Sequence, residues 1–394
     1  MLIGLVGKPS SGKSTFFKAS TLAEVEIANY PFTTIKPNHG IGFVSIDCVD
    51  KEFNKQCNPR EGFCIAHKRF LPMDILDVAG LVPGAYEGKG KGNQFLDDLR
   101  QADAFIHIID ISGSTDENGN SVSPLTYDPT KDVEFLDFEL DMWYYQILNK
   151  GWGKFSRQAH HENLNIKSAL AKQLSGLKIT EDDVENAIKK LKLSHDPINW
   201  SDDELKSLAS ELRKTKLMII AANKLDVDGS LFNLDKIKKK FPNYIIIGCS
   251  AEIELALREA AKNNLIEYVP GEKNFKIKGK LSEKQEKGLS FVKEYLKKFE
   301  TSGVQEILNK LVFEMLGYIA IYPGGVNKLE DSEGRVLPDC FLMPKDSSAL
   351  DFAYKLHTDF GKNFIRAIDV KNKRTVGKEY KLNHKDVIEI VYRK

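Results

Sequence analysis

The chain has 394 residues, 42% hydrophobic and 29% charged, with 57 Lys and Arg against 56 Asp and Glu, a net charge of +1. At about 100–200 residues per domain this predicts two to four domains, and the even balance excludes a protein that is basic throughout. Five scattered cysteines exclude a dense disulfide framework, no apolar run reaches the roughly 18–20 residues of a membrane span, and Met1 to Val6 is too short for a signal peptide, so a soluble, cytoplasmic protein is expected.

The first predicted element is a buried strand, Leu2 to Val6. It runs into Gly7-Lys8-Pro9-Ser10-Ser11-Gly12-Lys13-Ser14, followed by a helical Thr15-Phe16-Phe17-Lys18-Ala19. Strand, G-x-x-x-x-G-K-S loop and helix start are the context of a phosphate-binding loop. The residues from Gly7 to Thr15 are therefore candidates for holding phosphates. Gly7 and Gly12 let backbone N–H groups curl around anionic oxygens, and the helix N-terminus adds its positive end. Lys13 is expected to reach the β- and γ-phosphates and Ser14 Oγ to bind Mg²⁺.

Between residues 41 and 70 a strand-like run, Gly42 to Ile46, precedes Cys57, Cys64 and His67. The spacing Cys-x6-Cys-x2-His lacks the paired cysteines of common zinc sites and a clear fourth ligand, so these read as loop cysteines. The apolar run Phe70 to Leu76, interrupted by Pro72, ends on Asp77-Val78-Ala79-Gly80. An Asp at such a strand end holds Mg²⁺ in phosphate-loop enzymes, and Gly80 can bring its N–H to the γ-phosphate.

Ala104 to Asp110 is another buried strand, and the next begins near Lys216, 106 positions later. A whole βαβ unit needs only about 30 residues, so an insertion is implied. Helical spacing over Asp132–Leu148, Lys167–Leu174 and Glu181–Leu193, with an N-cap at Ser201, predicts a helical subdomain over roughly 129–213. The apolar strand Lys216 to Ala222 then delivers Asn223-Lys224-Leu225-Asp226. The Asp226 carboxylate can accept from both N1–H and the exocyclic amine of guanine, a donor pair that adenine lacks. Lys224 can lay its stem across the base, and Asn223 can tie this loop to the phosphate loop. A fourth strand, Tyr244 to Gly248, leads to Ser250-Ala251, whose backbone N–H can meet guanine O6.

Helices are predicted over Ile253–Lys262, Glu283–Phe299 and Val304–Leu316, with Gly271–Lys284 a Lys-rich loop. From Gly317 onward, strands surround one helix that Ser347 can cap, which suits a small α+β module. His357 is read as a helix-terminal packing or capping residue. Residues 361–394 hold ten Lys and Arg against four Asp and Glu, with Phe364, Tyr380 and Tyr392 interleaved. That local +6 is a candidate footprint for a nucleic-acid backbone.

These four nucleotide elements resemble the P-loop GTPases of the translation-factor class. Asn29-Tyr30-Pro31-Phe32-Thr33-Thr34-Ile35-Lys36-Pro37-Asn38 looks like switch I of the Obg family, and Gly80 to Leu96 like its Gly-rich switch II. Asp351-Phe352-Ala353-Tyr354-Lys355-Leu356-His357-Thr358-Asp359 resembles the hallmark stretch of TGS domains. The whole chain is similar to the YchF-related branch of archaea and eukaryotes.

The resemblance implies an α/β P-loop GTPase sheet with helices on both faces (1–128 and 214–316), a helical insertion (129–213) and a C-terminal β-grasp TGS domain (317–394). It implies Thr34 as the switch I ligand, making Ser14, Thr34 and Asp77 the Mg²⁺ set and Lys13, Thr34 and Gly80 the catalytic set. Members of the branch that prefer ATP have an altered Asn-Lys-x-Asp element, which is intact here. Leu81 stands where Ras-like enzymes carry a water-orienting Gln, which predicts slow intrinsic hydrolysis. Ser10 stands where Obg-family loops often carry Asn, which leaves potassium activation without its usual side-chain ligand. Asp97 follows Leu96 where the branch often has His, so no catalytic His is assigned. The expectation is a monomeric, GTP-controlled switch that engages ribosomes or RNA and no membrane. The alternative is an RNA-binding scaffold with a structural nucleotide site. A metabolic kinase is disfavoured because no acceptor-substrate constellation is present.

Overall fold

A computed structural model describes residues 1–21, 39–78, 80, 81, 83–87 and 100–393. Switch I, with Thr33 and Thr34, and Val82 and residues 88–96 of switch II lie outside the described residues. The N-terminal elements are β1 (Leu2–Val6), α1 (Lys13–Thr21), β2 (His39–Asp47), β3 (Phe63–Ile65), β4 (Lys68–Asp77) and β5 (Ala104–Asp110). Five helices follow: α2 (Thr130–Asn149), α3 (Trp152–His161), α4 (Ile166–Gln173), α5 (Glu181–Leu191) and α6 (Asp202–Arg213). Next come β6 (Met218–Asn223), α7 (Ser230–Lys240), β7 (Ile245–Gly248), α8 (Ala251–Lys262), β8 (Ile266–Tyr268), β9 (Phe275–Ile277), α9 (Glu283–Phe299) and α10 (Val304–Asn309). The C-terminal elements are β10 (Tyr318–Pro323), β11 (Phe341–Pro344), α11 (Ala349–Leu356), α12 (Thr358–Lys362), β12 (Phe364–Asp369), β13 (Arg374–Val376) and β14 (Val387–Tyr392).

Contacts divide the chain into two units. The first is built from Met1–Phe17, Pro37–Gly40 and Ile75–Glu252. Its strands β1, β5, β6 and β7 run parallel in that order. Every residue of β5 and β6 is buried, as expected of strands covered on both faces, which carry continuous rather than alternating apolar runs. The parallel direction puts all strand C-termini at one edge, where open α/β sheets bind ligands.

Helices α2 to α6 fill the interval between β5 and β6 and share one apolar core that includes Leu136, Trp143, Leu170, Val184 and Leu208. Trp152 stacks on Trp200 with ring centroids 5.5 Å apart. Ser201 opens α6 as a capping box with Glu204, and Thr180 does the same for α5 with Asp183. Each box satisfies two backbone donors that a helix start leaves open.

The second unit comprises Lys18–Lys36, Ile41–Asp74 and Ile253–Lys394. Here β2 and β3 both pair with β4. The C-terminal sheet has the order β11-β10-β14-β12-β13, with β10 and β14 parallel and the other pairs antiparallel. Phe352 of α11 is fully buried against Ile321, Ala367 and Ile388 of that sheet, the β-grasp arrangement of a TGS domain.

Three local expectations change, and a fourth holds. Residues 271–284 do not form a plain loop, because Phe275–Ile277 pairs antiparallel with β8. The helix predicted over Val304–Leu316 passes into a π-helix at Lys310–Met315. Ser348, rather than Ser347, caps α11, because its hydroxyl and the Asp351 carboxylate complete the capping box. His357 does cap, accepting at Nδ1 from the Asp359 N–H at 3.1 Å.

Candidate functional site

The site sits at the C-terminal edge of the first unit's sheet. Gly7 leaves β1 with φ +151°, and a Cβ there would stand 2.3 Å from the Ile108 carbonyl oxygen. Gly12 has φ +94°, and its Cβ would meet Asn223 Nδ2 at 2.2 Å. Both positions require glycine, since left-handed backbone and missing space coincide. Between them the chain turns through Ser10, itself at φ +61°. The Ser11 hydroxyl donates to the Lys8 carbonyl at 3.0 Å, and Lys13 Nζ donates to the same oxygen at 3.2 Å.

Ser14 opens the first turn of α1, and its hydroxyl donates to Asp77 Oδ2 at 3.1 Å. The Lys13 ammonium faces the same carboxylate. Burial pushes the Lys13 pKa down, with Asp77 opposing. Burial likewise raises Asp77, with Lys13 and Ser14 opposing. Ser14 and Asp77 together offer hard oxygen donors at a helix N-terminus, a donor set that fits Mg²⁺. Gly80 lies on the loop, where a Cβ would meet Pro9 Cγ at 3.1 Å. Leu81 donates its N–H to the Gly7 carbonyl at 3.2 Å, while its side chain is buried in the core with Val6 and Val78.

Asn223 joins the two halves of the site. Its Nδ2 donates to the Ser11 carbonyl at 2.9 Å, and its Oδ1 accepts from the Ala251 N–H at 3.0 Å. One buried carboxamide thus spans the phosphate loop and the Ser250-Ala251 turn. Lys224 has φ +65° and places Nζ 2.8 Å from Asp110 Oδ2. Sequence reasoning missed that anchor, although Asp110 ends a strand whose residues are all buried, the usual signal of a functional carboxylate. Burial works against the Asp110 charge, but Lys224, Ser112 and Thr115 outweigh it and hold the carboxyl below its usual range. Asp226 is half-buried, and its carboxylate accepts no hydrogen bond from the described residues. It stands close enough to Cys249 that burial and the Asp226 charge together push that thiol up.

Lys8 departs from expectation. Its side chain is buried and turned away from the loop, with Nζ 3.0 Å from Asp132 Oδ2, 2.8 Å from the Thr115 carbonyl and 3.9 Å from the Tyr127 ring centre. A second link reaches from α2 to the start of switch II: the buried Glu139 carboxylate accepts from the N–H groups of Gly84 at 2.7 Å and Tyr86 at 2.9 Å.

His107 of β5 is buried, and burial followed by the charges of Lys13 and Lys8 lowers its pKa to about 3. The unfolded imidazole titrates near pH 6.5. Between these values the unfolded chain carries a proton that the native chain lacks, so stability falls as pH drops from 6.5 toward 3. The expected loss from this group between pH 6.5 and pH 5 is roughly 1.5 kcal/mol. Urea unfolding of His107→Leu should lack that component, and identical pH slopes in both proteins would refute it.

Three family models match the chain: "50S ribosome-binding GTPase" over residues 2–136, "Obg-like GTPase YGR210-like, G4 motif-containing domain" over 221–325, and "TGS domain" over 333–392. An uncharacterized GTP-binding protein of Methanocaldococcus jannaschii is 50% identical, with 99% of this chain and 98% of that protein covered. The crystal structure of a GTP-binding protein from Pyrococcus horikoshii is 38% identical, with a TM-score of 0.77 over the whole of both chains. The Bacillus subtilis protein named ribosome-binding ATPase YchF is 27% identical, with 98% of this chain and 97% of that protein covered. With its nucleotide elements gathered at one sheet edge and a β-grasp module at the C-terminal end of its sequence, the chain belongs to the Obg-like P-loop GTPases, in the YchF-related branch that carries a C-terminal TGS domain.

Proposed function

We propose that the chain is a GTP-controlled switch with slow hydrolysis, GTP + H₂O → GDP + phosphate, that engages the ribosome in the cytoplasm. The observation that carries this is the Asn223 carboxamide, which bonds Ser11 and Ala251 and makes phosphate and base recognition one rigid unit. Gly7 to Thr15 hold the phosphates through backbone N–H groups and the α1 N-terminus. Lys13 meets the β- and γ-phosphates, and Asp226 reads guanine, with Lys224 beside it and Ser250-Ala251 at O6. Ser14 and Asp77, with Thr34 of switch I, are the residues to hold Mg²⁺, which when bound neutralises charge on the β- and γ-phosphate oxygens.

In this reading the Gly80 N–H reports the γ-phosphate, which the packing of Gly80 against Pro9 of the phosphate loop supports. The buried Leu81 side chain supports slow hydrolysis, because it offers no group to orient water. The three-part division 1–128 with 214–316, 129–213 and 317–394 belongs to this proposal, as does a monomeric state.

Ribosome engagement is supported by relatives whose names state ribosome binding, by the TGS match and by the basic 361–394 segment. Sedimentation with ribosomes should show more protein in the pellet with a nonhydrolysable GTP analogue than with GDP. Equal pelleting with both, together with no single-turnover hydrolysis with or without ribosomes, would favour a scaffold with a structural nucleotide site.

A further inference from the structure

The second unit holds a sulfur-rich cluster that the nucleotide chemistry does not use. Cys48 follows β2 and occupies the N-cap position of a short 3₁₀ turn, Val49–Phe53, without a side-chain capping bond. Cys57 follows on the returning loop, and Cys64 lies in β3. A metal-ligating atom from each of Cys48, Asp50, Cys57 and Cys64 lies within 4.8 Å of all the others. Cys48 Sγ and Cys57 Sγ are 3.4 Å apart. That spacing is far beyond the ~2.05 Å of a disulfide. It is close to the edge of a tetrahedron with Zn–S bonds of about 2.3 Å, roughly 3.8 Å. The cluster is too tight for anything larger than one ion.

The surroundings favour charged sulfur. Asp50 is fully buried, and its Oδ2 accepts the Cys57 N–H at 2.9 Å and lies 3.9 Å from Cys64 Sγ. Its Oδ1 is held by His67 Nδ1 at 2.9 Å, the outer support that orients a ligating carboxylate. Arg69 is 1% exposed, and its guanidinium donates to the Leu337 and Pro338 carbonyls at 3.0 Å each and faces Cys57 Sγ at 3.7 Å. Its Nε has no hydrogen-bond partner among the described residues. A buried guanidinium among neutral carbonyls is costly, and a counter-charge beside it relieves that cost. Three protonated thiols supply none, whereas thiolates held by a cation do.

We propose that Cys48, Cys57 and Cys64, with the Asp50 carboxylate as fourth ligand, hold one divalent cation of the zinc class. Soft thiolates select Zn²⁺ over Mg²⁺ or Ca²⁺, and four filled positions make the site structural rather than catalytic. Binding releases the three thiol protons and leaves an anionic centre whose excess charge Arg69 offsets. The ion staples the 48–67 excursion, which in turn pairs with the 336–338 backbone through the N–H groups of Asn58 and Arg60.

The full-length chain, reduced and metal-free, is titrated with Co²⁺ and then with Zn²⁺. The expected result is one Co²⁺ per chain, with thiolate-to-cobalt charge-transfer and tetrahedral d–d absorption, displaced by one equivalent of Zn²⁺. Cys57→Ser and Cys64→Ser should each weaken Co²⁺ binding by at least tenfold, while Cys340→Ser, outside the four ligands, should retain it. Wild-type protein that takes up no stoichiometric Co²⁺ overturns the proposal whether or not any variant folds. So does unchanged charge-transfer absorption in the Cys57→Ser and Cys64→Ser proteins.

Discussion

Asp226→Asn should weaken GTP binding by more than a hundredfold and raise affinity for xanthosine triphosphate. In the proposed reading the carboxylate presents two acceptors to the N1–H and the exocyclic amine of guanine. Hydrogen bonds to a charged group are worth about 1.5–3 kcal/mol each, so losing the pair removes roughly 3–6 kcal/mol. The Asn amide offers one acceptor and one donor. It opposes guanine at the amine but complements xanthine, which carries a carbonyl there. Asp226 has the freedom this role needs, since no described residue donates to its carboxylate, whereas the neighbouring Lys224 is fixed by Asp110. Competition binding of GTP, ATP and XTP to both proteins measures the effect. It also decides the nucleotide for this chain, since some relatives bear the name ATPase. A wild type that binds ATP as tightly as GTP would falsify guanine selection by Asp226.

The parts of the site legible in the sequence are those whose chemistry is local. Gly7, Gly12, Lys13 and Ser14 act within one strand–loop–helix segment, and each apolar strand announces its own C-terminal end. Asp77 and Asn223 could be placed because strand ends converge in a parallel sheet. Side-chain destinations were less legible. Lys8 reads as a phosphate ligand because it lies inside the loop motif, but its ammonium goes to Asp132, 124 positions away on α2. The anchor for Lys224 is likewise 114 positions distant, at Asp110. Cys57, Cys64 and His67 read as a failed zinc pattern because Cys48, nine residues earlier, stands outside any familiar spacing. The three sulfurs come together only when β2, the 3₁₀ turn and β3 fold back on one another. The hairpin of β8 and β9 was hidden for a related reason. Its second strand reads Phe275-Lys276-Ile277 within a Lys-rich stretch, and two of its three side chains are exposed, so composition masks the pairing.

Asp132→Ala should cost about 3–5 kcal/mol of stability, the range for removing one partner of a buried ion pair. Lys8 and Asp132 are each 3% exposed, so the Lys8 ammonium would keep only the Thr115 carbonyl and the Tyr127 ring. Tyr127 would also lose the Asp132 Oδ1 acceptor that its hydroxyl now meets at 2.9 Å. The pair itself is not a large source of stability. Burial raises Asp132 to about 6 in spite of Lys8, so taking the carboxylate out of water costs more than the ammonium returns. A double replacement, Lys8→Met with Asp132→Leu, should therefore recover most of the loss, because similar volumes fill the space and no charge is left buried. Stability should rank wild type, double variant, single variant in urea unfolding. Nucleotide affinity should fall in the single variant as well, because the Lys8 carbonyl holds both Ser11 Oγ and Lys13 Nζ, and a displaced Lys8 carries the phosphate loop with it. A double variant as unstable as the sum of the two single ones would show that the residues act independently, and would break the link from α2 to the phosphate loop. If the double variant instead regains both stability and GTP affinity, α2 supports the phosphate loop by packing against residue 8, and the charge of Asp132 is not itself required.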